Sequence, residues 1–530
     1  MNIKRILSCL FASVMLCGVV GCGNSSNNKN NGDDGDLTES NGKPQSTMSP
    51  IANVAPPALE AQPDVEDPGE EIEYTVSGTI GSDMVVQRNS YFNVFGWSEN
   101  KGGIIYGEFM GEKRYAVIDE NGEWCIKFSS HEATKEAQKL KIYPKTGKTT
   151  EYDGILVGDV WVVSGQSNAE LQLSFALNKN PSYIKQIQKD DNIRLFTQGR
   201  DHALAAKSKL DLTKPQDNTL NKGLKWKVAS AANAKNFSAI GYYFAKEMSK
   251  ETDVPIGMIM AAAGGAVLHE LMPNEVSSEC GFTSAPNDIV GIFYNALIHP
   301  FTKNSIAGML FYQGESESYS GKYKTYAANL EKTVAAYRKT WGVDFPFINV
   351  QLTTHLGPSL EGWYELPNIR AVQFDAYRNI ENSYLVVSRD HGIQKGDADW
   401  AHPYDKFDVG KRAADIALSL IYGKKDIAYS ASPEPVNVKW EKDYVLVDFR
   451  YVGDGLKILE GNALKGFSVL DSNGKDILMS AEIIDKDTVK LTVSGKAEKV
   501  QYCMIPNGAL KMANLGSSTE YPAPAFEVKK

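Results

Sequence analysis

Six apolar runs in the middle of the chain constrain its fold most: GDVWVV (158–163), NIRLF (192–196), PIGMIM (255–260), IAGMLFY (306–312), FINVQL (347–352) and YLVVS (384–388). Each has the length of a strand. Between them lie helix-patterned stretches such as SAIGYYFAKEMSKE (238–251), with Ser238 placed to cap it, and YKTYAANLEKTVAAYRKTWG (323–342). Strands that are apolar on both faces need cover on both faces, and joined by helices they form a parallel sheet with a helical layer on each side. In such sheets the ligand site lies beyond the carboxyl ends of the strands. Function is therefore to be sought in the residues that follow each strand.

After the first strand comes Ser164-Gly165-Gln166-Ser167-Asn168. A serine on a tight strand-to-helix turn exposes its hydroxyl beside backbone N–H groups aimed at the site, which is how an acyl-transfer nucleophile is presented. Either serine suits that geometry, but polar strand-to-helix turns are common, and taken alone this one reads more simply as a helix N-cap. After the third strand, Ala261-Ala262-Ala263-Gly264-Gly265 allows a close approach and an N–H for a developing oxyanion, or simply close packing. After the fourth, Tyr312-Gln313-Gly314-Glu315-Ser316-Glu317 offers an amide donor and acids. The last strand is followed by Arg389-Asp390-His391-Gly392 and then by Asp397-Ala398-Asp399-Trp400-Ala401-His402-Pro403. In Asp399-x-x-His402 a carboxylate can fix the tautomer of an imidazole that takes a proton from serine; His391 is the rival base. The remaining histidines, His131, His202, His269, His299 and His355, are scattered and read as ordinary surface or core residues; no His/Asp/Glu grouping has metal-ligand spacing.

The flanks are different in kind. From about Ile72 to Gly158, short runs such as DMVVQ, YFNVFGW, GIIYGEF and EWCIKF separated by turns like Asn121-Gly122 predict a β-sandwich, and the pattern returns from Pro435 to Lys530 with YVLVDFR, TVKLTV and KVQYCMI. At the N-terminus, Lys4 and Arg5 precede an apolar stretch, Ile6 to Val20, too short to span a membrane. It predicts an export signal. The stretch that follows, rich in Asn, Ser, Gly, Asp and Pro, is expected to be a flexible tether. Loss of the signal takes the formal charge from −9 to −11, which argues against nucleic acid as a partner. Cys125, Cys280 and Cys503 are too far apart in sequence to suggest a disulfide framework.

Several of these runs, taken in order, resemble known families. Val19-Val20-Gly21-Cys22 resembles the lipobox of bacterial lipoproteins, which implies cleavage before Cys22, a lipid on it, and residence in a bacterial envelope, at the outer membrane; a mature protein whose intact mass retains Met1 or an unmodified Cys22 would refute this. DMVVQR with VFGW, GDVWVVSGQSN, SAIGYYFAKEM with PIGMI, YNALIHP, GMLFYQGES, DWAHPYDKFDVGKRAA and ANLGSSTEYPAPAF resemble the SGNH hydrolases, and within them the sialate O-acetylesterase family of carbohydrate esterases. The N-terminal pattern implies a signal peptide (1–21) and a lipidated tether (22–70), and the esterase resemblance an N-terminal β-domain (71–157), a flavodoxin-like α/β esterase domain (158–430) and a C-terminal β-domain (431–530). The latter implies Ser167 as nucleophile, His402 as base, Asp399 as orienting acid, and an oxyanion hole from Ser167, Gly265 and Gln313, with Glu315 a competing acid and no cofactor or metal. The expected substrate is an O-acetylated sialic acid or other glycan. Acetylated xylan is the alternative within the same chemistry, and a non-catalytic glycan-binding lipoprotein the alternative outside it. The last has no use for Ser167, Asp399 and His402 together. Three departures from the family pattern, Ala169 after GQSN, AGGAVLHEL in the glycine block and Phe311 before YQGE, fall where acyl and sugar pockets are expected.

Overall fold

The strand that ends in WVVSG is sixteen residues long, because the glycines that look like breaks in TEYDGILVGDVWVVSG are absorbed within it. Gly154 takes a φ of +75° beside Asp83, and at Gly158 a Cβ would sit 2.0 Å from the Pro255 carbonyl oxygen, so only glycine lets the two backbones meet. In the computed structural model, which describes residues 55–179, 185, 187–198, 210–220, 223–285, 288–318, 321–354, 365–392, 402–505 and 512–530, this strand organises the whole molecule. The expected leader, Cys22 and Asp399 lie outside the described residues.

The central strands are β1 (Thr150–Gly165), β2 (Asp190–Thr197), β3 (Lys227–Ala229), β4 (Ile256–Ala262), β5 (Gly308–Tyr312), β6 (Phe347–Gln351) and β7 (Ser383–Val387). They run in the order β3-β2-β4-β1-β5-β6-β7, all parallel except the short edge strand β3. The order runs both ways from β1, so right-handed crossovers send helices to opposite faces. Helices α1 (Ala239–Thr252) and α4 (Phe407–Leu420) pack together on one side, and α2 (Tyr326–Trp341) and α3 (Leu366–Asn379) on the other. Ser238 caps α1 as its position predicts, accepting from the Gly241 N–H at 3.1 Å, and its hydroxyl donates to the Ala169 carbonyl at 2.6 Å. The reversal at β1 is a topological switch point, where a crevice opens beyond the strand ends.

The first β-unit departs from a free-standing sandwich. One of its sheets, Thr75–Val76 with Phe92–Trp97 and Glu123–Phe128, is separate. The strands of the other, Val85–Gln87 and Thr134–Pro144, pair directly with the first half of β1, so that layer is continuous with the central sheet. β1 itself crosses the junction expected at 157/158. The DMVVQR run anchors it: Arg88 pairs with the fully buried Asp159 at 2.9 Å, and Gln87 and the Tyr422 hydroxyl donate to the same carboxylate.

Part of the expected tether is laid down on this unit. The Gln62 carboxamide donates to the Tyr115 carbonyl at 2.9 Å and accepts from its N–H at 2.8 Å, imitating one more strand residue along an exposed sheet edge. Arg114 and Lys145 hold the carbonyls of Glu60 and Asp67. At the other end of the chain, the antiparallel sheet of Glu434–Trp440, Tyr444–Arg450, Thr488–Val493 and Leu478–Ile483 faces smaller sheets that include Lys499–Tyr502 and Phe526–Lys529. Its core takes in Phe374 and Tyr377 of α3 and Leu385 and Val387 of β7, so this unit is seated on the edge of the central domain.

Candidate active site

The turn after β1 is built by close contact. Gly165 has a φ of +129°, and a Cβ there would lie 2.1 Å from the Tyr312 carbonyl oxygen at the end of β5. The next N–H, of Gln166, donates to that same oxygen at 3.0 Å. The Gln166 side chain then gathers the loop after β5, its oxygen accepting from the N–H groups of Gly314 and Ser316 at 3.2 Å each. This sets the short helix Ser167–Glu170.

The two serines part company here. Ser164 is fully buried and donates to the Ala261 carbonyl across the sheet at 2.7 Å, a structural bond. Ser167 opens the helix, and its Oγ lies 2.8 Å from His402 Nε2. With the imidazole protonated at Nδ1, Nε2 accepts the serine proton. Beside this pair, Phe175 and Tyr404 stack face to face with centroids 4.4 Å apart, and Phe175 meets the His402 ring edge-on.

His391 is held elsewhere. Its ring nitrogens face Asp390 at 3.4 Å, Asp408 at 3.5 Å and Asp405 at 3.7 Å. His391, Asp405 and Asp408 bring ligand-type atoms within 4.8 Å of one another, a grouping that sequence spacing hid because the turn after β7 and the start of α4 meet only in the fold. Asp390 has its own partner: Arg412 takes both its oxygens and, against the effect of burial, holds its carboxyl below the usual range.

The glycine block places Gly265 at a φ of +76°, with open space where a Cβ would stand, and its neighbour Gly264 donates to Glu170 at 2.6 Å. Gln313 is fully buried. Its amide nitrogen bonds the Ala266 carbonyl at 3.2 Å, Gln166 Oε1 at 3.3 Å and the Glu317 carboxylate. An amide nitrogen has two hydrogens, so these acceptors claim both, and Gln313 here braces the turn that carries Gly265.

Two acids sit beneath the site. Burial raises the Glu315 carboxyl, against hydrogen bonding from Asn168 and the positive charge of Lys406. Burial likewise lifts Glu317 to about 7, opposed by hydrogen bonds from the Leu268 N–H and Gln313 and reinforced by Glu315. A raised carboxyl means that the folded protein binds the proton more tightly than the unfolded chain. Its contribution is therefore full below about 4.5 and is lost as pH rises through about 7. Glu317→Gln removes that titration. Between about pH 5 and 8 the variant should gain on the order of 2 kcal/mol relative to the unaltered protein, whatever its absolute stability, in urea unfolding at the two pH values. Parallel pH profiles would show that Glu317 does not titrate in this window.

Two of the departures from the family pattern are matters of packing. Ala169 is fully buried under Ser238, and Phe311 packs on Phe347 within the sheet. In the third, His269 is buried, stacked on Phe282 and paired with Asp288. Sequence reasoning missed Lys406. It is 2% exposed and donates to Asn168 at 2.6 Å. Its signal was its place four residues after His402.

Comparison with known proteins agrees with this architecture. The family described as "Carbohydrate esterase, sialic acid-specific acetylesterase" matches residues 157–419. Human sialate O-acetylesterase is 24% identical over 414 residues, covering 69% of this chain and 75% of the human one. The mouse sialate O-acetylesterase is 23% identical over 356 residues, covering 57% and 63%. A carbohydrate acetylesterase from Xanthomonas citri superposes with a TM-score of 0.73 at 25% identity, over 86% of this chain and all of that one. Residues 157–419 belong to the sialic acid-specific acetylesterase family of carbohydrate esterases, and the protein is an esterase acting on carboxylic esters.

Proposed function

We propose that this esterase removes O-acetyl groups from sialic acids through an acetyl-enzyme on Ser167. The observation that carries the reading is the 2.8 Å approach of His402 Nε2 to Ser167 Oγ at the switch point of the sheet. His402 takes the Ser167 proton as Oγ attacks the ester carbonyl, and gives it to the departing sugar oxygen as the ester C–O bond breaks, so that the sugar leaves as its free hydroxyl. A water activated by the same imidazole then releases acetate. The N–H groups of Ser167 and Gly265 meet the oxyanion, with Gln313 holding the Gly265 turn in place. Asp399 is the orienting acid in this reading. The stacked Phe175 and Tyr404 give the imidazole an apolar wall.

The test is acetate release by the purified protein from O-acetylated sialosides, O-acetylated mucin and acetylated xylan. Faster release from the sialosides and mucin supports the reading. A preference for xylan moves the same chemistry to plant polysaccharide, and release from none of the three overturns the substrate class.

A further inference from the structure

Two adjacent residues of the nucleophile turn face two residues of the base segment. Ser167 meets His402, and Asn168 meets Lys406, whose ammonium donates to the Asn168 side-chain oxygen at 2.6 Å. The Asn168 amide nitrogen donates the other way, to Glu315 at the end of β5. One carboxamide thus bridges a cation and an acid, all three side chains being at most 3% exposed. An ammonium so buried is unfavourable unless its hydrogen bonds and counter-charge are in place. Lys406 also lies 5.6 Å from the centroid of Tyr312, the residue whose carbonyl fixes Gly165 and Gln166. A single ammonium therefore touches the nucleophile turn and the strand end behind it.

The segment it belongs to needs such a tie. Residues 402–406 have no regular secondary structure, and α4 begins only at Phe407. Along this segment Tyr404 stacks on Phe175, and Asp405 faces His391 at 3.7 Å and caps the Phe407 N–H. The Lys406 bond reaches the residue next to the nucleophile.

We propose that Lys406 is a positioning residue for the esterase reaction: acting through Asn168, with Glu315 as counter-charge, it holds the His402 segment in register with Ser167. The proposal rests on Ser167 and His402 being nucleophile and base. Such a lock sets the geometry of proton transfer and leaves substrate contacts alone, so its loss lowers kcat and spares KM.

The test uses Lys406→Met, which keeps the length and removes the charge, with an aryl acetate as substrate and the acetyl-enzyme burst counting active sites. Turnover per active site should fall about 100-fold with KM within about twofold, as expected for a small misplacement of a catalytic group. Asn168→Ala, which removes the bridging carboxamide and leaves Lys406 itself in place, should do the same and serves if Lys406→Met does not fold. The double variant should be no slower than the worse single one, because both break one tie. Turnover per active site within about twofold of the unaltered protein, a rise in KM at constant kcat, or losses that multiply would each overturn the proposal. Ser167→Ala separates the two levels. If it stays active, the nucleophile reading has failed; if it is dead while both lock variants turn over normally, only the lock has failed.

Discussion

Replacing Ser167 by alanine should lower kcat for acetate release from an aryl acetate by about 10⁴- to 10⁶-fold, the range found when a nucleophile of this kind is removed. Without Oγ there is no acyl-enzyme, and the remaining donors can only assist attack by water. The burst of aryl alcohol should vanish as well. Stability should hardly move, because Ser167 is only partly buried and the turn around it is held by Gly165, Gln166 and the Ser238–Ala169 bond. Substrate binding should persist, which ligand-detected exchange or calorimetry on the inactive variant would register. An active Ser167→Ala protein would sink the mechanism, and so would an inactive one that is unfolded by circular dichroism but rescued on refolding.

Arg389→Met should carry the largest cost in stability, about 3–5 kcal/mol, with little effect on turnover per active site. Arg389 stands just past β7, 1% exposed, and spends its guanidinium on the C-terminal unit. It donates to the carbonyls of Ala523 at 2.9 Å, Ala513 at 2.5 Å and Leu515 at 3.2 Å, and to the Tyr502 hydroxyl at 3.2 Å, lying over the ring of that tyrosine. Methionine fills the space and strands those carbonyls away from water, at about 1–3 kcal/mol for each buried group left unpaired. Gln351 pairs with both backbone groups of Ala525 nearby and should keep the unit attached, which limits the sum. Denaturant unfolding followed by tryptophan fluorescence measures the difference. An unchanged midpoint would show that the unit is held by its apolar core alone.

That pairing also explains a run with no evident chemistry. ANLGSSTEYPAPAF could be quoted from the sequence as part of the family pattern, yet nothing in it suggests a reaction. In the fold it supplies the carbonyls that receive Arg389 and the backbone groups that pair with Gln351. DMVVQR is similar: Gln87 and Arg88 serve the buried Asp159 of β1. Both are read as motifs in one dimension and as joints between units in three.

The central sheet was legible because fully apolar runs joined by amphipathic helices admit few arrangements, and each observed strand lies within two residues of its run except at the start of β1. That start was hidden by Gly154 and Gly158, which punctuate a sequence but continue a strand where another backbone comes close. β3 was missed because three residues carry no periodicity. The continuity of the first β-unit with the central sheet followed from the same long strand.

By itself the sequence determined the class of fold, the edge of the sheet where chemistry is found, and a short set of reactive side chains at that edge, since strand periodicity and chain order are local properties. The tertiary structure decided what depends on distances between residues far apart in the chain. It placed Ser167 rather than Ser164 beside a histidine, and His402 rather than His391 beside that serine. It turned the Gln313 amide toward Glu317, and it brought the buried charges of Lys406 and Glu315 to the two ends of Asn168. Burial and mutual distance fix the charge state and the reach of such groups, and both arise only when the strand ends converge.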